Sequence, residues 1–426
     1  MTHEKKLDLF PGSKDWVQKY FSLIDEDAVN LQQSIKCGCL SNDLHLFFID
    51  HGILFGSFVS PILLKNVNFD KWTSAEKSKF LLFESLLYIY LCKHTRFDKS
   101  EFIKELILFY SLFKEERSFS FLSFDFLNDK SPSISLEKIL SNRVEIKSSF
   151  ISTNKWFNYI ENSFVFLDVI LFDHYLNRSK GLYKKDLEIL KFNTLLAVIQ
   201  ASQADDVVSK DEVRIFQTFL NASSLPHEEK QMLKLKFKDY VLFDDYLPSY
   251  FSSPLFRFFL LDIAILVINS KNSVDEKEEL FLEHFATFLN IDEDLLLKAK
   301  ISVDQFIISS TDLVSFLSTD STYEKMLNSL SKRWMKVISR NKDKLVAELL
   351  ESKEFLALVK KATTTELSPE EKRKATTQFK DIFLKSMPSL AVFMLPGGAL
   401  LLPLLLKIIP DLIPSSFRDN EIQEKP

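Results

Sequence analysis

The chain has 426 residues, 46% of them hydrophobic, with 41 phenylalanines, only 7 glycines and a net charge of −5. Glycine averages about 7% of a protein, so this deficit excludes glycine-cradled nucleotide folds and disfavours all-β architectures, both of which need backbone that other residues rarely adopt. A long all-α protein remains, and the negative balance argues against DNA as a partner.

The first residues, Met1–Trp16, are polar and charged and lack the apolar core of a signal peptide, so the soluble part is expected in the cytoplasm. Cys37, Cys39 and Cys92 are too few for a disulfide scaffold. Cys37 and Cys39 also lie closer together than zinc-finger spacing, so ordinary reduced thiols are expected. Leu44–Leu64 is strongly apolar and holds Gly52 and Gly56 at the spacing of a membrane-helix contact. His45, Asp50 and His51 interrupt it, which favours a buried or interfacial helix over a span.

Ser74–Lys93 and Lys99–Lys114 place apolar residues three and four apart and predict amphipathic helices. In Ser118–Phe126 the alternation of Phe119, Phe121, Phe124 and Phe126 reads as a short strand or an aromatic clamp, with core packing the simpler role. Asp168, Asp173 and His174 sit in an apolar run. A relay among them is one reading, but five-residue spacing puts the aspartates on different helix faces, which favours separate polar partners.

An internal repeat follows. Leu195–Phe216 reads LLAVIQASQADDVVSKDEVRIF, and Leu261–Leu282, 66 residues later, reads LDIAILVINSKNSVDEKEELFL. Each copy is an apolar helix, a polar break and a capped start to a second helix. Ser209 with Glu212, and Asp275 with Glu278, have the capping-box spacing. The first copy resembles the tellurite-resistance TerB-like helical module, whose signature is Ala-Asp-Gly before an acidic helix start. Here it reads Ala204-Asp205-Asp206, with Asp206 in place of the glycine. Asp205, Asp206, Asp211 and Glu212 are the candidate ligands for a hard cation. Their spacing misses the EF-hand order, and a capped, solvated acidic turn is the favoured reading.

Charge changes sign along the chain: residues 1–320 carry a net −10, residues 321–386 a net +6 and residues 387–426 a net −1. Ser321–Lys361 predicts a long basic amphipathic helix, with Leu327, Leu330, Trp334, Val337 and Ile338 on one stripe. Lys332, Arg333, Lys336 and Arg340 crowd its first half, and Lys372, Arg373 and Lys374 add cations further on. Such a surface suits anionic headgroups, a partner helix or RNA phosphates, or simply faces solvent. Ser368, Pro369, Glu370 and Glu371 then mark a new helix start.

Ser386–Leu406, SMPSLAVFMLPGGALLLPLLL, contains no charged residue. As a helix it would reach roughly 31 Å, the thickness of a hydrocarbon core. Pro388, Pro396, Gly397, Gly398 and Pro403 break it, which suits a kinked span, a re-entrant hairpin or a buried core hairpin. Leu402-Pro403, Lys407, Pro410 and Leu412-Ile413-Pro414-Ser415-Ser416-Phe417 resemble the membrane segment of the Letm family, leucine-zipper EF-hand-containing transmembrane proteins. The resemblance covers about Leu367–Arg418 and extends to a bacterial, biofilm-associated branch of that family. It implies an inner-membrane location, a role in envelope or ion homeostasis or in surface behaviour, and ribosome binding.

Two features depart from the family. Its intramembrane glutamate falls at Ala399, and nine residues follow Phe417 where the family has a ribosome-binding domain. The expected organisation is an N-terminal helical domain (1–180), a TerB-like helical repeat (181–320), a basic amphipathic helix (321–366) and a Letm-like membrane segment (367–426). We expect a non-enzymatic protein without cofactor, its body on the cytoplasmic side of the inner membrane. Membrane lipids are the expected partners. The ribosome is a further partner that the resemblance implies, and cation or proton transport through one short broken span would require a homo-oligomer.

Overall fold

The computed structural model describes residues 7–26, 31, 41–56, 58–113, 131–144, 163–177, 183–239, 253–269 and 276–309, with scattered positions from 348 to 382. Among the described residues the secondary structure is helical, with no named strand. The helices are α1 (Trp16–Glu26), α2 (Ser41–His51), α3 (Ser74–Lys93), α4 (Lys99–Ser111), α5 (Pro132–Val144), α6 (Phe166–Leu176) and α7 (Tyr183–Ser202). They continue as α8 (Lys210–Ala222), α9 (His227–Lys238), α10 (Pro254–Ile268), α11 (Glu276–Phe288), α12 (Glu293–Ser309) and α13 (Lys353–Thr364). The chain forms two units, residues 1–271 with 275–295, and residues 272–274 with 296–426.

Two helices organise the first unit because they are apolar on every side, as a helix buried all round must be. In α3 every residue from Phe80 to Leu91 is buried, and α10 buries Leu255, Phe256 and every residue from Phe258 to Ile268. α3 packs on α5 and α6, while α10 packs on α7, α2 and α11. The first helices of the two repeat copies, α7 and α10, therefore lie against each other, and α6 joins them to the N-terminal helices across position 180.

Phenylalanine fills this interior through edge-to-face contacts, in which a positive ring edge meets a negative face. Trp16 and Tyr20 of α1 meet Phe83 of α3 at 5.2 and 5.0 Å between centroids, and Phe83 meets Phe102 of α4 at 5.9 Å. Phe47 of α2 stacks on Tyr88 of α3 at 4.3 Å, and His45 of α2 stacks on Phe258 of α10 at 3.9 Å.

The helix starts follow their local signals. Thr73 and Glu76 form a capping box at α3, Asp98 accepts from the Glu101 N–H at α4, and Pro254 opens α10. The apolar run Leu44–Leu64 is not one continuous helix. Gly52 (φ 88°) and Gly56 (φ 65°) adopt the left-handed conformation on either side of a 3-10 turn at Ile53–Phe55, so Gly52 ends α2 and Gly56 closes the turn instead of both lining a helix contact. α4 stops at Ser111, three residues short of the periodic pattern.

In the second unit Ser352 is non-helical and its carbonyl accepts from the Leu356 N–H at 3.1 Å, so α13 begins anew there. The long pattern Ser321–Lys361 is thus interrupted before its end. The rest of that pattern up to 347 and the phenylalanine segment Ser118–Phe126 lie outside the described residues.

Candidate functional site

The acidic turn of the first repeat copy is built by two helix ends. α7 finishes at Ser202, and Gln203 at its end donates to the carbonyls of Phe237 and Asp239 at 3.1 and 3.3 Å, tying this corner to the end of α9. Asp206 then takes φ 65°, the left-handed conformation that glycine occupies at no steric cost. Its carboxylate accepts from Lys277 of α11 at 2.8 Å, which bridges the first repeat copy to the second. Asp205 accepts from the Val207 N–H at 3.0 Å. Ser209 and Glu212 complete a reciprocal capping box, at 2.7 Å from the Ser209 N–H and 3.2 Å from the Glu212 N–H.

Asp205, Asp206 and Glu212 are thus directed at three different partners. Among the described residues no group of three histidine, cysteine or acidic side chains is arranged to hold a metal ion. The side chain of Asp211 and the whole of Asp275 lie outside the described residues.

The interior holds ionisable groups whose partners are far away in sequence. Asp168 of α6 is fully buried and accepts a two-point bond from Arg143 of α5, at 2.7 Å from Nε and 2.5 Å from Nη2. Tyr110 of α4 donates its hydroxyl to the same carboxylate at 3.0 Å. One carboxylate therefore joins three helices. Burial, and then the neighbouring Asp168 carboxylate, push the Tyr110 hydroxyl well above its ordinary pKa. Burial opposes the Arg143 charge, yet Asp168 outweighs it and holds the guanidinium more firmly protonated. Asp173 pairs separately with Lys93 of α3 at 3.0 Å. The two aspartates thus serve different helix contacts, with different cations.

Glu84 of α3 is a second buried clasp. Its oxygens accept the successive N–H groups of Ile62, Leu63 and Leu64 at 2.5, 3.2 and 2.8 Å, and the Tyr20 hydroxyl at 3.0 Å. Burial raises its pKa against these bonds. Glu137 of α5 accepts from the Asp15 and Val17 N–H groups at 3.0 and 2.9 Å and so caps α1 from another helix. These carboxylates are occupied by backbone donors, and their chemistry is to hold loops and helix ends in place.

Two carboxyl groups differ. Among the described residues neither oxygen of Asp262, fully buried in α10, has a hydrogen-bond partner, and burial alone raises its pKa well above the carboxylate range. Asp262 follows Phe258 by four residues and Phe259 by three, so it shares the side of α10 that meets His45 of α2 and Phe166 at the start of α6. Asp50 of α2 carries one buried oxygen without a partner among the described residues and is pushed by burial to a pKa of about 8. The adjacent His51 is lowered to about 4, first by burial and then by Lys65.

The basic region is described only in part. Lys332, Arg333, Lys336, Arg340, Lys372 and Arg373 lie outside the described residues. Lys374 is described and is paired: it meets Glu354 of α13, which also accepts from Gln378 at 2.6 Å. Lys361 binds Glu371 at 2.5 Å, and Ser368, the expected helix cap, forms a capping box with Glu371 at 3.0 and 3.3 Å. The pairs 354–374 and 361–371 run α13 antiparallel to the segment that Ser368 starts. Pro388, Pro396, Gly397, Gly398, Pro403, Pro410 and Pro414 lie outside the described residues. Among the described residues no helix is long and apolar enough to cross a membrane.

No family model, no curated protein and no solved structure matches this chain. The features that sequence periodicity missed are the exposed apolar side chains Met232 and Leu235 of α9 and Val207 and Val208 of the α7–α8 turn. α9 reads HEEKQMLKLKFK, in which lysines alternate with apolar residues, so no stripe in the sequence distinguishes its buried side from its exposed one.

Proposed function

We propose that the chain is a non-enzymatic, membrane-associated protein related to the Letm family, with its helical body on the cytoplasmic side. Its role would lie in envelope or ion homeostasis or in surface, biofilm-related behaviour, exercised through protein and membrane contacts. The observation that carries this reading is the uncharged stretch Ser386–Leu406 placed directly after a region of net +6. Apolar insertion and adjacent cations reinforce each other at an anionic membrane, each cation near the surface adding about 1 kcal/mol. The net −10 of residues 1–320 then keeps the bulk of the body away from the lipid and available to other proteins.

Alkaline carbonate extraction of membranes from expressing cells tests the reading. The full chain is expected in the membrane pellet, and a chain lacking residues 387–426 in the wash. Quantitative release of the full chain would overturn insertion, and unchanged retention of the truncated chain would overturn the tail as anchor.

A further inference from the structure

Among the described residues α9 meets the body through one side. Leu233 is buried, and Phe237 stacks on Phe216 of α8 with centroids 4.2 Å apart. The other side presents Met232, 44% exposed, and Leu235, 60% exposed, which are neighbours on the helix surface at three-residue spacing. Lys234 and Lys238 are exposed beside them, one turn apart. Val207 and Val208 are exposed in the turn that Gln203 fastens to the end of this helix, next to the carboxylates of Asp205 and Asp206. Glu228 and Glu229 sit in the first turn, at the opposite end.

Charge selects the occupant. Lys230, Lys234, Lys236 and Lys238 set four cations against Glu228, Glu229 and Asp239, a net of +1 over residues 228–239 within residues 1–320 that carry −10. An anionic surface repels the region as a whole and attracts it here. Exposed Met and Leu flanked by lysine stems match the boundary between headgroups and acyl chains, where apolar tips enter and ammonium groups remain at the phosphates.

We infer that this face of α9 seats on an anionic lipid surface, with Met232 and Leu235 in the headgroup boundary and Lys234 and Lys238 against phosphate. The inference rests on the membrane association proposed above and adds a second contact, on the body, that is separate from the tail.

The test uses the full chain with vesicles of phosphatidylcholine alone or mixed with phosphatidylglycerol, each doped with a photoactivatable lipid, and maps labelled peptides by mass spectrometry. Labelling within 227–238 is expected with the mixed vesicles and is expected to fall on the order of tenfold in K234E/K238E. The same loss is expected in Leu235→Ser, an exposed substitution, while labelling within 386–406 and the thermal midpoint of both variants stay unchanged. Labelling of 386–406 without 227–238 would overturn this inference and leave the proposed anchor standing. Labelling of 227–238 alone would support it and overturn the anchor, and labelling of neither would overturn both. Binding of soluble poly-glutamate that is lost in K234E/K238E, with no lipid labelling at 227–238, would reassign the face to an acidic protein.

Discussion

Asp50 and His51 are adjacent, both are desolvated, and burial moves their titrations in opposite directions. The folded state keeps a proton on Asp50 up to about pH 8, whereas an unfolded chain releases it near 3.8, so this group makes stability fall as pH rises between those values. His51 binds its proton only near pH 4 when folded and near 6.5 when unfolded, so its contribution rises with pH across that interval. The two oppose each other below about 6.5, and above it only the fall due to Asp50 remains. The thermal midpoint is therefore expected to drop from pH 6.5 to pH 8, and Asp50→Asn to flatten that drop. Asp262, raised in the same direction, adds to the decline, so Asp262→Asn is expected to flatten it as well; an unchanged slope in both variants would contradict the burial argument.

Arg143 poses a different problem at the same scale. It has one carboxylate partner, and that carboxylate has no exposure at all. Removing the guanidinium leaves the buried Asp168 carboxyl with the Tyr110 hydroxyl as its one partner among the described residues. Arg143→Leu is expected to lower unfolding free energy by about 3 kcal/mol, measured by urea titration. The Asp206–Lys277 pair has similar geometry, but its side chains are 65% and 63% exposed. A double-mutant cycle on it is expected to give less than about 1 kcal/mol.

Among the described residues most left-handed turns are made without glycine. Besides Gly52 and Gly56, the left-handed positions belong to Asp15, Asp206, Ser224 and Asn290. Aspartate and asparagine tolerate that conformation because their short polar side chains bond locally. Asn290 completes a Schellman ending on α11: the Ile291 N–H bonds the Ala286 carbonyl at 2.8 Å and the Asn290 N–H bonds the Thr287 carbonyl at 3.0 Å. Asn290→Ala is expected to destabilise the protein by about 1 kcal/mol and Asn290→Gly to leave it as stable or more so, by thermal or urea denaturation. At the opposite kind of terminus, Ser209→Ala removes half of the α8 capping box and is expected to cost about 1 kcal/mol. The capping box at Ser209 and the helix start at Ser368 were legible because a cap and the residues it serves lie within a few positions of each other in sequence. The helix end at Gly52 was less so, since an apolar run reads on through a glycine until the backbone is seen to turn over.

For the whole molecule, an acidic helical body carries a basic stretch and an uncharged tail, and both proposed lipid contacts follow from where cations and apolar groups coincide. One contact follows from composition, because twenty-one uncharged residues in a row declare themselves. The other depends on α9 turning Leu233 inward and Leu235 outward, although both are leucines two positions apart.

The sequence by itself determined that the fold is helical and where several helices begin: glycine scarcity, cap spacing and three-to-four periodicity act over a few residues and can be read in order. Tertiary structure alone decided the rest. It paired Asp168 with Arg143 across 25 residues and Glu84 with the backbone of Ile62–Leu64 across 20 to 22. It also left Asp262 in the core with no partner among the described residues and chose the exposed face of α9. The reason is that desolvation and charge pairing are settled by which helices pack together, and packing joins residues whose separation in sequence carries no signal.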